Sequence, residues 1–376
     1  MKLFKGIANN ISAPVIGIVT RNPWTLKRKD CVLVTEDDHG FISGFGGIIA
    51  MVGDKKTSLP TIQAQKEDLR ALTDGDCVSL NQDGTVRVVW EEQSSMNALL
   101  LTEACDCKCM MCPQPPKPHD KSLVVISRRI LGLVKTNASR MICLTGGEPT
   151  LLKEEFFNIL RLIDKKCPEA STMLLTNGKS FTDYNFTKKF IASKPKNLEV
   201  CVSLHSDVDE VHDQIVGVKG SFYKTAMGLQ NLARFRQAIE IRVVINKLNF
   251  NRLESIANFI IRNFPFINHC AFMGMEVTGY ARDNFDSIWI DPTEYKEQLQ
   301  KAVKIVSRAN LNVSIYNIPL CLLERKAWGF AKKSISGWKN AYLPVCEPCS
   351  VKSECGGVFT TSGAFQSCNI HSLADA

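Results

Sequence analysis

No stretch of 18 apolar residues occurs in this chain of 376, so the sequence offers no candidate membrane-spanning helix. It has no internal repeat and no low-complexity segment. With 45% hydrophobic and 22% charged residues, the composition excludes a mainly disordered chain, a collagen-like chain and a coiled coil. Long blocks of one charge are also missing. The net charge of +8 comes from 46 Lys plus Arg against 38 Asp plus Glu, and Lys27-Arg28-Lys29 is typical of the short basic runs. That thin spread reads as a solvated surface, and a nucleic-acid partner is not expected. Met1-Lys2-Leu3-Phe4 resembles the start of a secretory leader, but Asn9 and Asn10 interrupt the apolar run. No signal peptide is read, and the chain is expected to be cytoplasmic.

What is present in excess is cysteine. The count of 15 is high for a cytosolic enzyme, too low for a small disulfide scaffold, and odd, so complete internal pairing is impossible. Four cysteines fall within residues 105–112 and three within 346–355. Such clusters favour metal or iron–sulfur ligation in a reducing compartment over disulfides.

The pattern divides the chain into three. Residues 1–95 read as a small β-rich domain. Val32, Val34, Phe41 and Ile42 sit in short apolar runs broken by Asp38-His39-Gly40, and Asp83-Gly84 between two apolar runs signals a hairpin. Residues 96–310 alternate strands and helices. Strands are expected at Ala98–Leu101, Met141–Leu144, Met173–Leu175, Leu198–Leu204, Ile239–Ile245 and Cys270–Met273. Helices are expected at Ser122–Val134, around Leu152, Phe156, Leu160 and Ile163, at Phe222–Phe235, around Leu253, Ile256 and Ile260, and at Thr293–Val306. Six β-then-α units in a row imply a parallel sheet curling into a partial (β/α)6 barrel, whose chemistry sits at the C-terminal ends of the strands. Residues 311–376 contain an extended run, Val313–Ile318, and then a cysteine-rich segment with little periodicity. That segment reads as organised by metal rather than by an apolar core.

Cys105, Cys109 and Cys112 give C-x3-C-x2-C directly after the first barrel strand. Three thiolates on such a loop hold three irons of a 4Fe–4S cubane and leave the fourth open to a ligand. Composition alone yields about 0.02 such triplets by chance in a chain of this length. The rival reading is a tetrahedral zinc site that adds Cys107. Neighbours two apart point in opposite directions in an extended chain, so C-x-C-x-C strains a single-metal site. In the cluster reading Cys107 is a spare thiol that faces away.

On these residues the sequence resembles the radical SAM superfamily. The resemblance implies that the open iron chelates S-adenosylmethionine. One electron then cleaves the sulfonium to a 5′-deoxyadenosyl radical, with an electron donor such as flavodoxin or ferredoxin. It matches Gly146-Gly147-Glu148, after the second strand, to the motif that contacts the methionyl ammonium. Ser203 and His205, ending the fourth strand, are placed near the ribose or substrate, and Asn177, ending the third, is a further cofactor-binding candidate; the plainer reading is a turn for Asn177 and strand-end capping for the serine. Relatives carry His-Asp-x-x-Arg before Gly-Ser-Phe. Here His212-Asp213 opens a helix and Val216 stands at the arginine position, so Arg242 on the fifth strand becomes the candidate for the methionyl carboxylate. Gly274, Met275 and Glu276 end the sixth strand, where the fold borders the adenine.

At the other end, Cys346-x2-Cys349-x5-Cys355 followed by Gly356-Gly357 resembles the auxiliary-cluster segment of SPASM and twitch extensions. With Cys321 it supplies four ligands for a second 4Fe–4S cluster. Zinc suits four thiolates equally, and Cys368 is an alternative to Cys321. Cys31, Cys77, Cys143, Cys167, Cys201 and Cys270 read as buried small apolar residues.

The closest resemblance is to the His-Xaa-Ser system radical SAM maturase of the HxsC type. It rests on Leu100–Cys105, Cys109–Pro116, Phe272–Glu276 with Thr278-Gly279, Val313–Cys321 and Ser334–Asn340. It implies a bacterial enzyme that modifies a peptide or protein with His-Xaa-Ser repeats beside a second radical SAM maturase. Two other readings stand against it: a radical SAM enzyme acting on a small molecule or RNA, and a structural zinc protein.

Overall fold

The computed structural model describes residues 3–36, 43–51, 57–118, 121–334, 339–361 and 363–373. Asp38-His39-Gly40, Phe41, Ile42 and most of the Ser334–Asn340 segment lie outside them.

The N-terminal region is an eight-stranded sheet: β1 (Leu3–Lys5), β2 (Ile7–Asn9), β3 (Val15–Thr20), β4 (Cys31–Thr35), β5 (Gly47–Met51), β6 (Thr61–Ala64), β7 (Cys77–Leu80) and β8 (Thr85–Trp90), with helix α1 (Lys66–Ala71) after β6. Its order is β1-β8-β7-β3-β4-β5-β6-β2. The two edge strands, β1 and β2, are consecutive in the chain and separated by Gly6 alone. One bent segment therefore joins both edges and closes the sheet into a barrel, which removes unpaired strand edges. The seam is made of glycine. Gly6 N donates to Gly84 O (2.9 Å), and a Cβ on Gly84 would lie 2.0 Å from Gly6 O. Gly84, at φ 83°, also makes the hairpin turn expected from Asp83-Gly84. Val32, Ile49, Ile62, Val78, Leu80 and Val86 fill the barrel.

The second sheet has strands β9 (Met96–Leu100), β10 (Met141–Thr145), β11 (Ser171–Thr176), β12 (Leu198–Ser203), β13 (Ala238–Val244), β14 (His269–Met273), β15 (Asn312–Tyr316) and β16 (Ala331–Lys332). Neighbours follow chain order and every pair is parallel. β9 and β16 are not paired with each other, so the barrel is partial. The connecting helices are α2 (Ser122–Leu133), α3 (Glu154–Lys166), α4 (Tyr184–Ser193), α5 (Asp209–Val216), α6 (Ser221–Ala233), α7 (Leu253–Asn263), the short α8 (Tyr280–Asp283) and α9 (Phe285–Ile288), and α10 (Pro292–Arg308).

Three details differ from the sequence reading. The run at Val313–Ile318 is not outside the barrel: β15 and β16 extend its sheet past residue 310. α4 is an additional helix, capped by Asp183, which accepts from Asn185 N and Phe186 N. His212 and Asp213 lie within α5 rather than opening it. The Asp213 carboxylate instead caps the next helix by accepting from Phe222 N (2.9 Å).

Outward-facing Ile239, Ile241 and Val243 of β13 join Phe156, Leu160, Ile163, Leu229 and Ile256 in one continuous core. Full burial of each such side chain stabilises by roughly 1.5–3 kcal/mol. The closed barrel rests on α2, with Arg129–Asp30 (2.7 Å) and Lys135–Glu92 (2.6 Å) at the rim of the contact.

Candidate active site at the mouth of the partial barrel

The loop after β9 carries the first cysteines and is fastened on four sides by backbone and side-chain hydrogen bonds. Towards α5, Lys108 N donates to Val216 O and Met110 N to Ile215 O, both at 2.9 Å. Towards α8, Tyr280 N donates to Cys112 O (2.9 Å) and Asn284 Nδ2 to Met110 O (3.0 Å). Towards the β10 turn, Gly147 N donates to Thr102 O and Glu148 N to Ala104 O, both at 2.8 Å. The two glycines are required by this contact, since a Cβ on Gly146 would lie 2.3 Å from Thr102 O and one on Gly147 2.2 Å from Ala104 O. Towards β11, Asn177 Nδ2 donates to Asp106 Oδ1 (2.7 Å).

Glu148 is buried among hydrogen-bond donors. It is 1% exposed. Its Oε1 accepts from Thr150 N (3.1 Å), Thr150 Oγ1 (2.7 Å) and Thr176 Oγ1 (2.8 Å), and its Oε2 accepts from Asn177 N (2.7 Å). Burial pushes its carboxyl up, against the pull of these donors. These bonds tie the β10 turn to the end of β11.

Cys107 also departs from expectation. It is buried, but it does not face away. It hydrogen-bonds both Cys105 and Cys109, which hold its thiol well below the ordinary range, and Lys179 adds to the effect. His205 is a core residue: it is 2% exposed, Val244 N donates to its Nδ1 (3.3 Å), and its ring stacks on His212 at 5.9 Å. Burial lowers the pKa of His205 to about 3 and that of His212 to about 4. Ser203 and Arg242 are register partners on β12 and β13. Arg242 does not stand free at the mouth: it donates through Nε to Glu240.

Arg242 belongs to a network that the sequence reading missed. On β13 Ile239, Ile241 and Val243 face outward, and the charged residues Glu240 and Arg242 are among those that face inward. Glu240 Oε2 lies 2.5 Å from His269 Nδ1, and His269 Nε2 lies 2.9 Å from Ser314 Oγ. Three adjacent strands thus line the lumen with linked polar groups. A polar residue at every second position of an apolar parallel strand was the available signal. Glu276 is structural: it accepts from Thr361 Oγ1 (2.6 Å) and pairs with Lys339 (3.4 Å), tying the C-terminal segment to the mouth.

Cys321, Cys346, Cys349 and Cys355 line one pocket together with His371 and Tyr342. Leu320 N and Gly357 N both donate to Cys355 Sγ at 3.4 Å. Cys368 is exposed and does not line the pocket, whereas Cys321 does.

The spacing tests which metal fits. A zinc ion bonded at about 2.3 Å draws its sulfurs to within roughly 3.8 Å of one another. Among the described residues, the groups of three potential ligand atoms within 4.8 Å of one another are Cys105–Asp106–Cys107 and Glu199–Cys201–Glu240. Neither the triplet Cys105, Cys109, Cys112 nor any three of the C-terminal cysteines converge so closely. Neither set is gathered as a single zinc ion would gather it, and thiolates are the ligands an iron–sulfur cubane takes.

Comparison with known proteins places the barrel. The family model described as the Radical SAM superfamily matches residues 99–260. This segment matches a radical SAM domain. A radical SAM domain implies a 4Fe–4S cluster and S-adenosylmethionine, and the remaining cysteines allow a second cluster. No curated protein matches the chain.

Similar solved structures include Streptococcus suis SuiB bound to S-adenosylmethionine (20% identity, 60% of this chain and 51% of that one, TM-score 0.47). Others are anSMEcpe with bound AdoMet and Cp18Cys peptide (18%, 58% and 62%, 0.45) and a radical SAM methyltransferase from Sphaerobacter thermophilus (13%, 70% and 74%, 0.46). The matched region spans about half the length of SuiB. No helix among the described residues is long and apolar enough to cross a membrane.

Proposed function

We propose that this protein is a radical SAM enzyme that reductively cleaves S-adenosylmethionine and modifies a peptide or protein carrying His-Xaa-Ser repeats. The observation that carries the radical chemistry is the loop of Cys105, Cys109 and Cys112, fastened at the C-terminal mouth of a parallel barrel against the Gly146-Gly147 turn. Cluster and S-adenosylmethionine together supply a 5′-deoxyadenosyl radical.

The chain's own residues bind, orient and exclude water. Cys105, Cys109 and Cys112 ligate three irons. Gly146 and Gly147 let backbone approach the methionyl end. Ser203 and the guanidinium donors of Arg242 not used by Glu240 face the lumen from neighbouring strands, where they suit a carboxylate or ribose. Asn177 orders the cysteine loop, and Glu148 and His205 hold the surrounding turns. Cys321, Cys346, Cys349 and Cys355 ligate a second, saturated 4Fe–4S cluster that relays electrons. Flavodoxin or ferredoxin is the donor, and a second radical SAM maturase is the partner.

The test is anaerobic. The protein is reconstituted with iron and sulfide, reduced, given S-adenosylmethionine and a His-Xaa-Ser repeat peptide, and assayed by mass spectrometry. 5′-Deoxyadenosine from the wild type and none from Cys112→Ala supports the radical chemistry. A mass change in the peptide supports the substrate. 5′-Deoxyadenosine with an unchanged peptide overturns the substrate and leaves the chemistry.

A further inference from the structure

Lysine is almost never fully buried without a charge partner. Lys179 is 6% exposed and lies against the cysteine loop. Gly178, at φ 81°, turns the chain off the end of β11, and Lys179 N donates to Asn177 Oδ1 (3.0 Å). The ammonium donates to the backbone O of Asp106 (3.0 Å), pairs with Asp106 Oδ2 (3.0 Å) and hydrogen-bonds Cys107. With Asn177 on Oδ1, both carboxylate oxygens of Asp106 are held by the same turn.

The pair is oriented. The Asp106 side chain is 40% exposed, so its charge is screened by water, whereas the lysine charge is inside. The Asp106 carboxylate, 3.0 Å away, compensates the buried ammonium. Lys179 therefore stays charged.

We propose that Lys179 is a positioning residue: it fixes the cysteine loop in its ligating form and places a positive charge on the loop's inner side, making the cluster easier to reduce. This rests on the reading that Cys105, Cys109 and Cys112 hold a 4Fe–4S cluster. Reduction adds one negative charge to the site, and a nearby cation in a weakly polar interior stabilises the reduced form more than the oxidised one. Asp106 acts in the opposite sense from the solvent side.

The experiment uses the full chain, reconstituted anaerobically, as wild type, Lys179→Met, Lys179→Arg and Asp106→Asn. Iron and sulfide per chain are measured, together with the midpoint potential of the first cluster by redox titration followed by electron paramagnetic resonance. Cys346→Ala together with Cys349→Ala in every background removes the second signal.

Lys179→Met is expected to lose at least half the cluster per chain and to shift the remaining midpoint to a more negative value. Lys179→Arg is expected to keep the wild-type midpoint. Asp106→Asn is expected to shift it to a less negative value. Opposite shifts from Lys179→Met and Asp106→Asn are what charge dictates and what loosened packing does not produce. Shifts of the same sign, or reduced loading with an unmoved midpoint, overturn the proposal. If Lys179→Met does not fold, the proposal stands or falls on the other two variants: a wild-type midpoint in Lys179→Arg and a less negative one in Asp106→Asn. A wild-type protein that takes up zinc in place of the cluster overturns the underlying reading and this proposal with it.

Discussion

The two cysteine sites of this molecule are built in opposite ways. The first is a loop whose backbone is bonded to α5, to α8 and to the β10 turn, with Asn177 and Lys179 gripping Asp106 from β11. Its shape belongs to the fold. The second is a cavity among short turns, in which the four cysteines are themselves much of the lining. Side-chain contacts tie it to the barrel, among them Glu276 with Lys339 and Thr361 and Asn369 with Thr293. A reactive site must hold its shape while its iron is open to ligand, whereas a saturated site takes its shape from its metal.

The largest expected effect separates the sites by chemistry. Cys112→Ala should abolish 5′-deoxyadenosine formation, at least 100-fold by order of magnitude, because one lost ligand leaves the first cluster unsupported. Cys349→Ala should spare that cleavage and impair substrate turnover. Equal loss of cleavage in both, measured by mass spectrometry, would erase the division between the sites.

A second expectation separates them by folding. Stripping the metal should make residues 339–373 sensitive to protease while the barrel stays resistant, as mapped by limited proteolysis and mass spectrometry. Equal sensitivity of the 101–118 loop would contradict the view that the barrel preforms it.

A third probes the lock beneath the first site. Glu148→Ala leaves the donors of Thr150, Thr176 and Asn177 buried without an acceptor. It should cost on the order of 3 kcal/mol, read from denaturant unfolding, and Glu148→Gln should cost less.

The smallest effect is a pH dependence. His205 and His212 have folded pKa values of about 3 and about 4, below the ordinary value near 6.5. The unfolded chain therefore binds more protons in that range. Their contribution to stability is complete above about pH 6.5 and falls as the pH drops through 4 towards 3. Melting curves across this range should show the slope, and His212→Phe should flatten it.

Much of the fold was legible because its signals are local. Strands such as Ile239–Ile245 are apolar runs bounded by turns, and Cys105, Cys109 and Cys112 share one short segment. What escaped depends on distance. Cys107 looked spare because its neighbours in sequence do not include Lys179. The hydrogen bonds of Glu148 went unseen because its buried partners, Thr176 and Asn177, come from the end of another strand. Closure of the N-terminal barrel needs Gly6 to meet Gly84, and no local pattern encodes that pairing. β15 looked like part of the tail because an apolar strand reads the same whether or not it joins a sheet.

The anchoring of the first loop also sets an order of events during synthesis. Met110 is held by Asn284, 174 residues later in the chain. A ribosome needs on the order of 10–35 s to add that much polypeptide. Through this interval the four thiols of residues 105–112 exist without the walls that shape them. Iron delivered early would meet a floppy peptide; iron delivered after α8 and α9 have emerged meets a finished socket. Maturation of this protein is thus timed by the far end of its own barrel.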